Sequence, residues 1–261
     1  MNASAFAAPE ITSIPDDKLK NFYKDEPDLE TYRHYLESVS RQKPHVLSHA
    51  EEAILAKIGS FSNAAEDIFS MINDADIVFP NIKDENGDNV SLTKGRYAKF
   101  MESKDRSVRK AAFDALYETY TKQKNTLAAT YYSSVKKDAF MADVRKYSSS
   151  LEAALDDDNI PLSVYENLIS SVHKYLPLMH RYVDIRKKIL GVDELHPYDL
   201  YAPLSESSDM KITYQQAKDI ILKALSPMGE EYVNALKEGF NGGWIDVYEN
   251  SGKRGGAYSW G

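Results

Sequence analysis

From Asp105 to Arg145 the chain contains neither proline nor glycine. Strands average five or six residues, so an unbroken stretch this long has one regular conformation open to it, the α-helix. Val108, Ala112, Ala115, Thr119, Leu127, Tyr131 and Val135 can stripe one face, with Lys and Arg along the other. The stripe lacks the branched residues at both seam positions that a coiled coil requires, so it predicts a helix packed within a bundle.

The rest of the chain repeats this pattern. Leu29, Tyr32, Leu36 and Val39 recur at helical spacing over 28–42. Ser48 and Glu51 form a capping box that opens a helix through Ile54, Leu55 and Ile58, and another helix is expected from Phe61 to Ile72. "SSSLEAAL" reads as a short helix. The second long helix spans 162–190, with Ser163 and Glu166 as its capping box, a kink at Pro177 and Gly191 as its stop. Thr213 caps "YQQAKDIILKAL". The last helix is expected with Pro227 in its first turn and Asn241-Gly242-Gly243 at its end.

The period changes only briefly. β-Branched residues flank Asn86-Gly87, which predicts a hairpin with strands near 76–82 and 88–92. Residues 192–211 read as an extended connector, and "WIDVYE" and "GAYSWG" as extended ends. The fold class is therefore mainly α, a multi-helix bundle with one hairpin near 76–92 and an extended C-terminal segment.

Composition excludes several functions. The net charge is −8 without a basic block, so the phosphate attraction behind nucleic-acid binding is missing. No apolar run spans a bilayer and no basic-then-apolar leader opens the chain, which points to the cytoplasm. Zero cysteines exclude a disulfide framework, a thiolate metal site and a Cys nucleophile. "DDDNIPLSVYEN" from Asp156 has Pro161 and Asn167 where a calcium loop needs Gly and Glu. Of the 6 histidines, only His45 and His49 stand four apart. Val46 replaces the Glu of a zinc-peptidase helix, and Pro44 and the Ser48 cap keep His45 outside the helix. His173 and His180 are two turns apart, roughly 10 Å at 1.5 Å per residue, too far to share an ion. No catalytic or metal-ligating set is complete.

Two stretches exceed what stability explains. "HPYDLYAPL" (196–204) places His196, Tyr198 and Asp199 in an irregular segment between long helices, where binding residues concentrate. The alternative is a connector whose tyrosines pack on helix ends. "RGGAYSWG" combines glycines with aromatics, which suits either a strand edge that receives a peptide or a strand paired within the protein.

These stretches, with "NTLAATYYSSVKKDAFMADVRKYSSSLEAALDDDNIPLSVYENLI" and "LPLMHRYVDIRKKILG", resemble oligoendopeptidase F, a bacterial member of the thimet-oligopeptidase-like zinc metallopeptidases. The likeness runs in order from about Phe6 to Gly261. It implies a mostly helical bowl around a channel with zinc at its floor, where short oligopeptides are hydrolysed. It divides the chain into 1–92, an N-terminal-type helical segment with the hairpin, and 93–261, the first part of the catalytic domain. On this resemblance the chain stops before the zinc-binding H-E-x-x-H helix and lacks a leading segment. Zinc would belong to the full-length protein, with no ligand and no catalytic residue in this chain, which would be inactive alone. Gly256, Ala257 and Tyr258 would pair with substrate backbone, and His196 and Tyr198 would line the channel. The partners implied are an oligopeptide and the remaining C-terminal catalytic part, with no nucleic acid or membrane. Apolar surface left uncovered would promote self-association. The rival reading is a free-standing helical binding module.

Overall fold

The computed structural model describes residues 7–205, 212–250, 253, 255 and 256, with side chains from Glu10 onward. It is mainly helical, as the periodicity predicts. The backbone packs into two compact units, each built from two stretches of chain: 1–73 with 123–181, and 74–122 with 182–261.

The first unit holds α1 (Ala7–Ser13), α2 (Asp16–Asp25), α3 (Arg33–Arg41), α4 (His49–Ile58), α5 (Ala64–Met71), α8 (Lys124–Val144), α9 (Ser150–Asp156) and the N-terminal part of α10 (Leu162–Leu190). Ser48 and Glu51 cap α4 reciprocally, as expected. Residues 27–32 form a 3₁₀ turn opened by Pro27, so α3 starts later than the periodicity suggests. A turn likewise occupies 61–63 before α5, and a single π-turn follows it at Ile72–Asp76. Buried Leu19, Val39, Leu55 and Ala142 mark the apolar interior. A polar joint links distant segments. Arg41 donates to the Asp156 carboxylate (3.2 Å) and to its carbonyl (2.7 Å), and Tyr147 donates to the same carboxylate (2.9 Å). Burial and that bond push the Tyr147 phenol up to about 12.

The second unit holds β1 (Asn81–Lys83), β2 (Asn89–Ser91), α6 (Lys94–Met101), α7 (Arg106–Lys122), the end of α10, α11 (Tyr214–Ala224) and α12 (Glu230–Asn241). The antiparallel strands pair Ile82 with Val90 and are shorter than expected. Their turn has positive φ at Gly87 (84°) but not at Asn86, and the Asp84 carboxylate accepts the N–H groups of Asn86 and Asp88. Ile82, Leu92, Met101, Ala112 and Tyr198 form the core, joined by Phe79, Phe100 and Phe113.

Three helix ends differ from the sequence reading. The helix expected over 105–145 breaks at Gln123 (φ −100°, ψ 5°), where the chain passes from one unit to the other. α10 begins at Leu162 directly after Pro161, whose carbonyl accepts the Val164 N–H at 2.9 Å. Ser163 thus lies inside the first turn, and its capping box does not form. Pro227 belongs to a separate 3₁₀ turn, since Gly229 (φ 96°) interrupts the chain before α12. Gly191 closes α10 as expected: at φ 64° it turns the backbone so that the Val192 N–H reaches the Lys187 carbonyl. α10 runs unbroken through Pro177.

Candidate functional site

The irregular segment 194–202 is fixed by one carboxylate and three arginines, all in the second unit. Asp105 opens α7, its Oδ1 accepting the Ser107 N–H at 2.8 Å. This sets Arg106 and Arg109 three apart on one face, where both reach Asp199. Arg106 donates from Nη2 at 2.9 Å to Oδ2, and Arg109 from Nη2 at 2.8 Å to Oδ1. The His196 backbone N–H completes the set at 3.0 Å. Asp199 is 0% exposed. Burial alone would raise its carboxyl, but the bonds from Arg106, Arg109 and His196 outweigh this and hold it well below the usual carboxylate range.

Arginine also satisfies the backbone of the segment. Arg109 Nε donates to the Tyr198 carbonyl at 3.1 Å. Arg186, from the last turns of α10, donates to the carbonyls of Asp199 (3.0 Å) and Ala202 (2.6 Å). A buried irregular segment must find partners for its peptide groups, and here charged side chains supply them. Tyr198 lies in the core, its ring edge-on to Phe113 at 5.7 Å and stacked on His196 at 5.0 Å.

The expected site residues therefore separate. Tyr198 and Asp199 are structural anchors with no free face, whereas the His196 ring stays partly exposed, 3.8 Å from the Glu194 carboxylate. Tyr201 is exposed on the same segment. Arg106, half-exposed, and the buried Arg109 and Arg186 escape the sequence reading because nothing local distinguishes an arginine that reaches a buried acid or carbonyl from a solvated one. The only signal is the acid in an irregular segment, which must find a cation somewhere.

After α12, Trp244 folds back so closely that a Cβ on Gly239 would lie 2.9 Å from its ring. Lys253 then ties the tail, donating to the Tyr248 carbonyl at 2.9 Å and pairing with the Asp246 carboxylate at 3.2 Å. Gly255 and Gly256 follow. Gly256 has φ 151°, a conformation L side chains rarely adopt, and its surroundings are open. Ala257 and Tyr258 lie outside the described residues.

Among the described residues no three His, Asp or Glu side chains cluster to hold a metal ion. His45 is engaged otherwise, with Nδ1 2.8 Å from the Arg145 carbonyl and its ring stacked on Tyr147 at 3.6 Å. His173 and His180 are exposed on α10. No helix among the described residues is long and apolar enough to cross a membrane.

Two family models match the chain: Peptidase family M3 over residues 99–261 and Oligopeptidase F over residues 10–79. Oligopeptidase PepF of Bacillus subtilis (strain 168) is 51% identical over 258 residues, covering 99% of this chain and 38% of that protein. Group B oligopeptidase PepB of Streptococcus agalactiae is 42% identical over 257 residues, 98% of this chain and 43% of the relative. The chain thus spans about two fifths of the length of these relatives. Among solved structures, oligoendopeptidase F from Enterococcus faecium superimposes with a TM-score of 0.72 at 44% identity, over 88% of this chain and 43% of that one. A putative peptidase from Chlamydophila abortus gives 0.74 at 37% identity, over 99% and 43%.

Proposed function

The chain belongs to peptidase family M3, and from that premise we propose that it is part of a zinc metallo-oligopeptidase that hydrolyses short oligopeptides in an enclosed channel. The observation that carries this reading is the pair of family matches, in chain order, over 10–79 and 99–261. Residues 1–92 are read as the N-terminal-type segment and 93–261 as the first part of the catalytic domain. The protein is assigned to the cytoplasm.

This chain's part is structural and substrate-directed. The Asp199 hub makes segment 194–202 a rigid frame, leaving His196 accessible as a wall residue while Tyr198 anchors it from within. Gly256 has open surroundings, and with Ala257 and Tyr258 it is proposed to pair with an extended peptide, which would add by backbone hydrogen bonds. The described residues do not fit a zinc site, so no step is assigned to the metal here. Its ligands are proposed to come from the C-terminal catalytic part of the same protein. The exposed apolar face of α10 would pack against that part, and its exposure would favour self-association in the 261-residue chain alone.

The test compares this chain with the longer polypeptide on a quenched-fluorescent oligopeptide with added zinc. Turnover by the longer polypeptide alone is expected. Turnover with stoichiometric zinc in the 261-residue chain would overturn the reading. Within the longer polypeptide, Gly256→Pro should raise KM by removing an N–H. An unchanged KM and kcat would exclude strand addition at this residue.

A further inference from the structure

The first unit contains a cavity of about 570 Å³ that the peptidase reading does not use, opening between the α4–α5 corner and the C-terminal half of α8. Its volume lies within the roughly 300–1,000 Å³ typical of small-molecule sites. Leu55, Ile58, Phe61, Phe140 and Met141 make it apolar, and Gly59, Ala64 and Ala65 leave it room. Charge enters only at Lys136 and Lys137. Each stands four residues before an apolar liner, Phe140 and Met141 respectively, so each lysine is one helical turn from an apolar wall residue.

Among the described residues Lys137 forms an ion pair with its neighbour Asp138, and Lys136 pairs with no carboxylate. Lys136 Nζ lies 4.6 Å from the centre of the Tyr132 ring, and Lys137 Nζ is 3.7 Å from the neighbouring Asp138 carboxylate. The serines at the cavity, Ser62 and Ser133, donate to the carbonyls of Gly59 and Ala129 and so turn their hydroxyl hydrogens away. The arrangement is an apolar slot whose lining holds two lysines and no acid, one lysine lying over the Tyr132 ring and the other paired with Asp138 beside the slot. Met141 adds an adaptable wall suited to a flexible chain.

We propose that this cavity binds an amphiphilic monoanion, a medium-chain alkyl carboxylate, with its chain between Phe61 and Phe140 and its carboxylate against Lys136 and Lys137. An apolar lining excludes a bare phosphate or sulfate, while the paired cations select an anionic head over a neutral one.

Decanoate and decanol, titrated calorimetrically into the full-length polypeptide, test this directly. Decanoate should bind one per chain, about tenfold more tightly than decanol, and lose that advantage as salt is raised. Ala65→Trp, which fills the slot, should abolish binding, and the double variant Lys136→Glu/Lys137→Glu should weaken decanoate about tenfold while leaving decanol unchanged. Equal affinity for the two ligands would overturn the proposal without recourse to any variant. So would decanoate binding that survives Ala65→Trp in a protein of unchanged helical circular dichroism, since the ligand would then occupy some other apolar surface.

Discussion

Residues 196–202 and the first five turns of α10 invert the usual pairing of regular structure with burial. The former holds only a 3₁₀ turn at Pro197–Asp199, yet Tyr198, Asp199 and Ala202 are 6%, 0% and 2% exposed. The latter is unbroken helix, yet Leu168, Val172, Tyr175 and Met179 are 51–61% exposed. A helix satisfies its peptide groups internally, so it can form without a neighbour wherever local signals suffice. An irregular segment has no such means, and burying it requires donors brought from elsewhere. The second region is therefore ordered by its own sequence and the first by its surroundings.

Removing those surroundings should have the largest effect. Asp199→Ala leaves Arg109 buried without its acid and takes the partner from the half-buried Arg106, and loss of one partner of a buried pair costs about 3–5 kcal/mol. Urea unfolding should show a lower midpoint at unchanged slope; a shift below about 1 kcal/mol would mean that the arginines find other acceptors. Acid sharpens the point. The folded-state pKa of Asp199 is depressed, so its contribution is complete above the unfolded value, near 3.8, and fades as pH falls through the folded one. The stability gap between wild type and Asp199→Asn should be flat from pH 7 to 5 and narrow below pH 4.

How legible each region was in the sequence follows the same division. The Ser48 box, the Thr213 cap, Gly191 and the turn around Gly87 all rest on contacts within a few residues, and all occur. The break at Gln123 has no local signal, because it answers to the division between units. Ser163 misled for a related reason: its box was a valid local pattern, but Pro161 two residues ahead had already started the helix. Asp199 was visible as an unusual residue in "HPYDLYAPL". Its partners were not, since Arg106, Arg109 and Arg186 lie 93, 90 and 13 residues away. The tail was singled out by its glycines, and it is Gly256 that carries the unusual φ.

A smaller effect isolates the local side of the contrast. Lys146 ends α8 in the left-handed conformation (φ 63°), with its N–H on the Asp143 carbonyl and the Tyr147 N–H on that of Ala142. Glycine adopts that conformation without the cost of about 1 kcal/mol that a β-carbon brings. Lys146→Gly should therefore raise stability by roughly 0.5–1 kcal/mol in guanidinium unfolding, with the same helical content. A loss instead would show that the lysine charge, which lies near Glu51, matters more than backbone strain at this end.

The smallest change is expected where an apolar residue would ordinarily matter most. Leu168 is 61% exposed, so Leu168→Ala in the 261-residue chain removes few contacts and should shift stability by less than about 0.5 kcal/mol. Leu55, at 8% exposure in the same unit, supplies the scale: its replacement by alanine should cost about 2–5 kcal/mol. The informative step is to repeat Leu168→Ala in the longer polypeptide. If α10 packs there against the catalytic part, the cost should rise toward the value for Leu55, and it should appear as weaker association if the chain alone self-associates. A change that stays negligible in both would leave the α10 face as a permanently solvated surface and remove the reason to expect a cover for it.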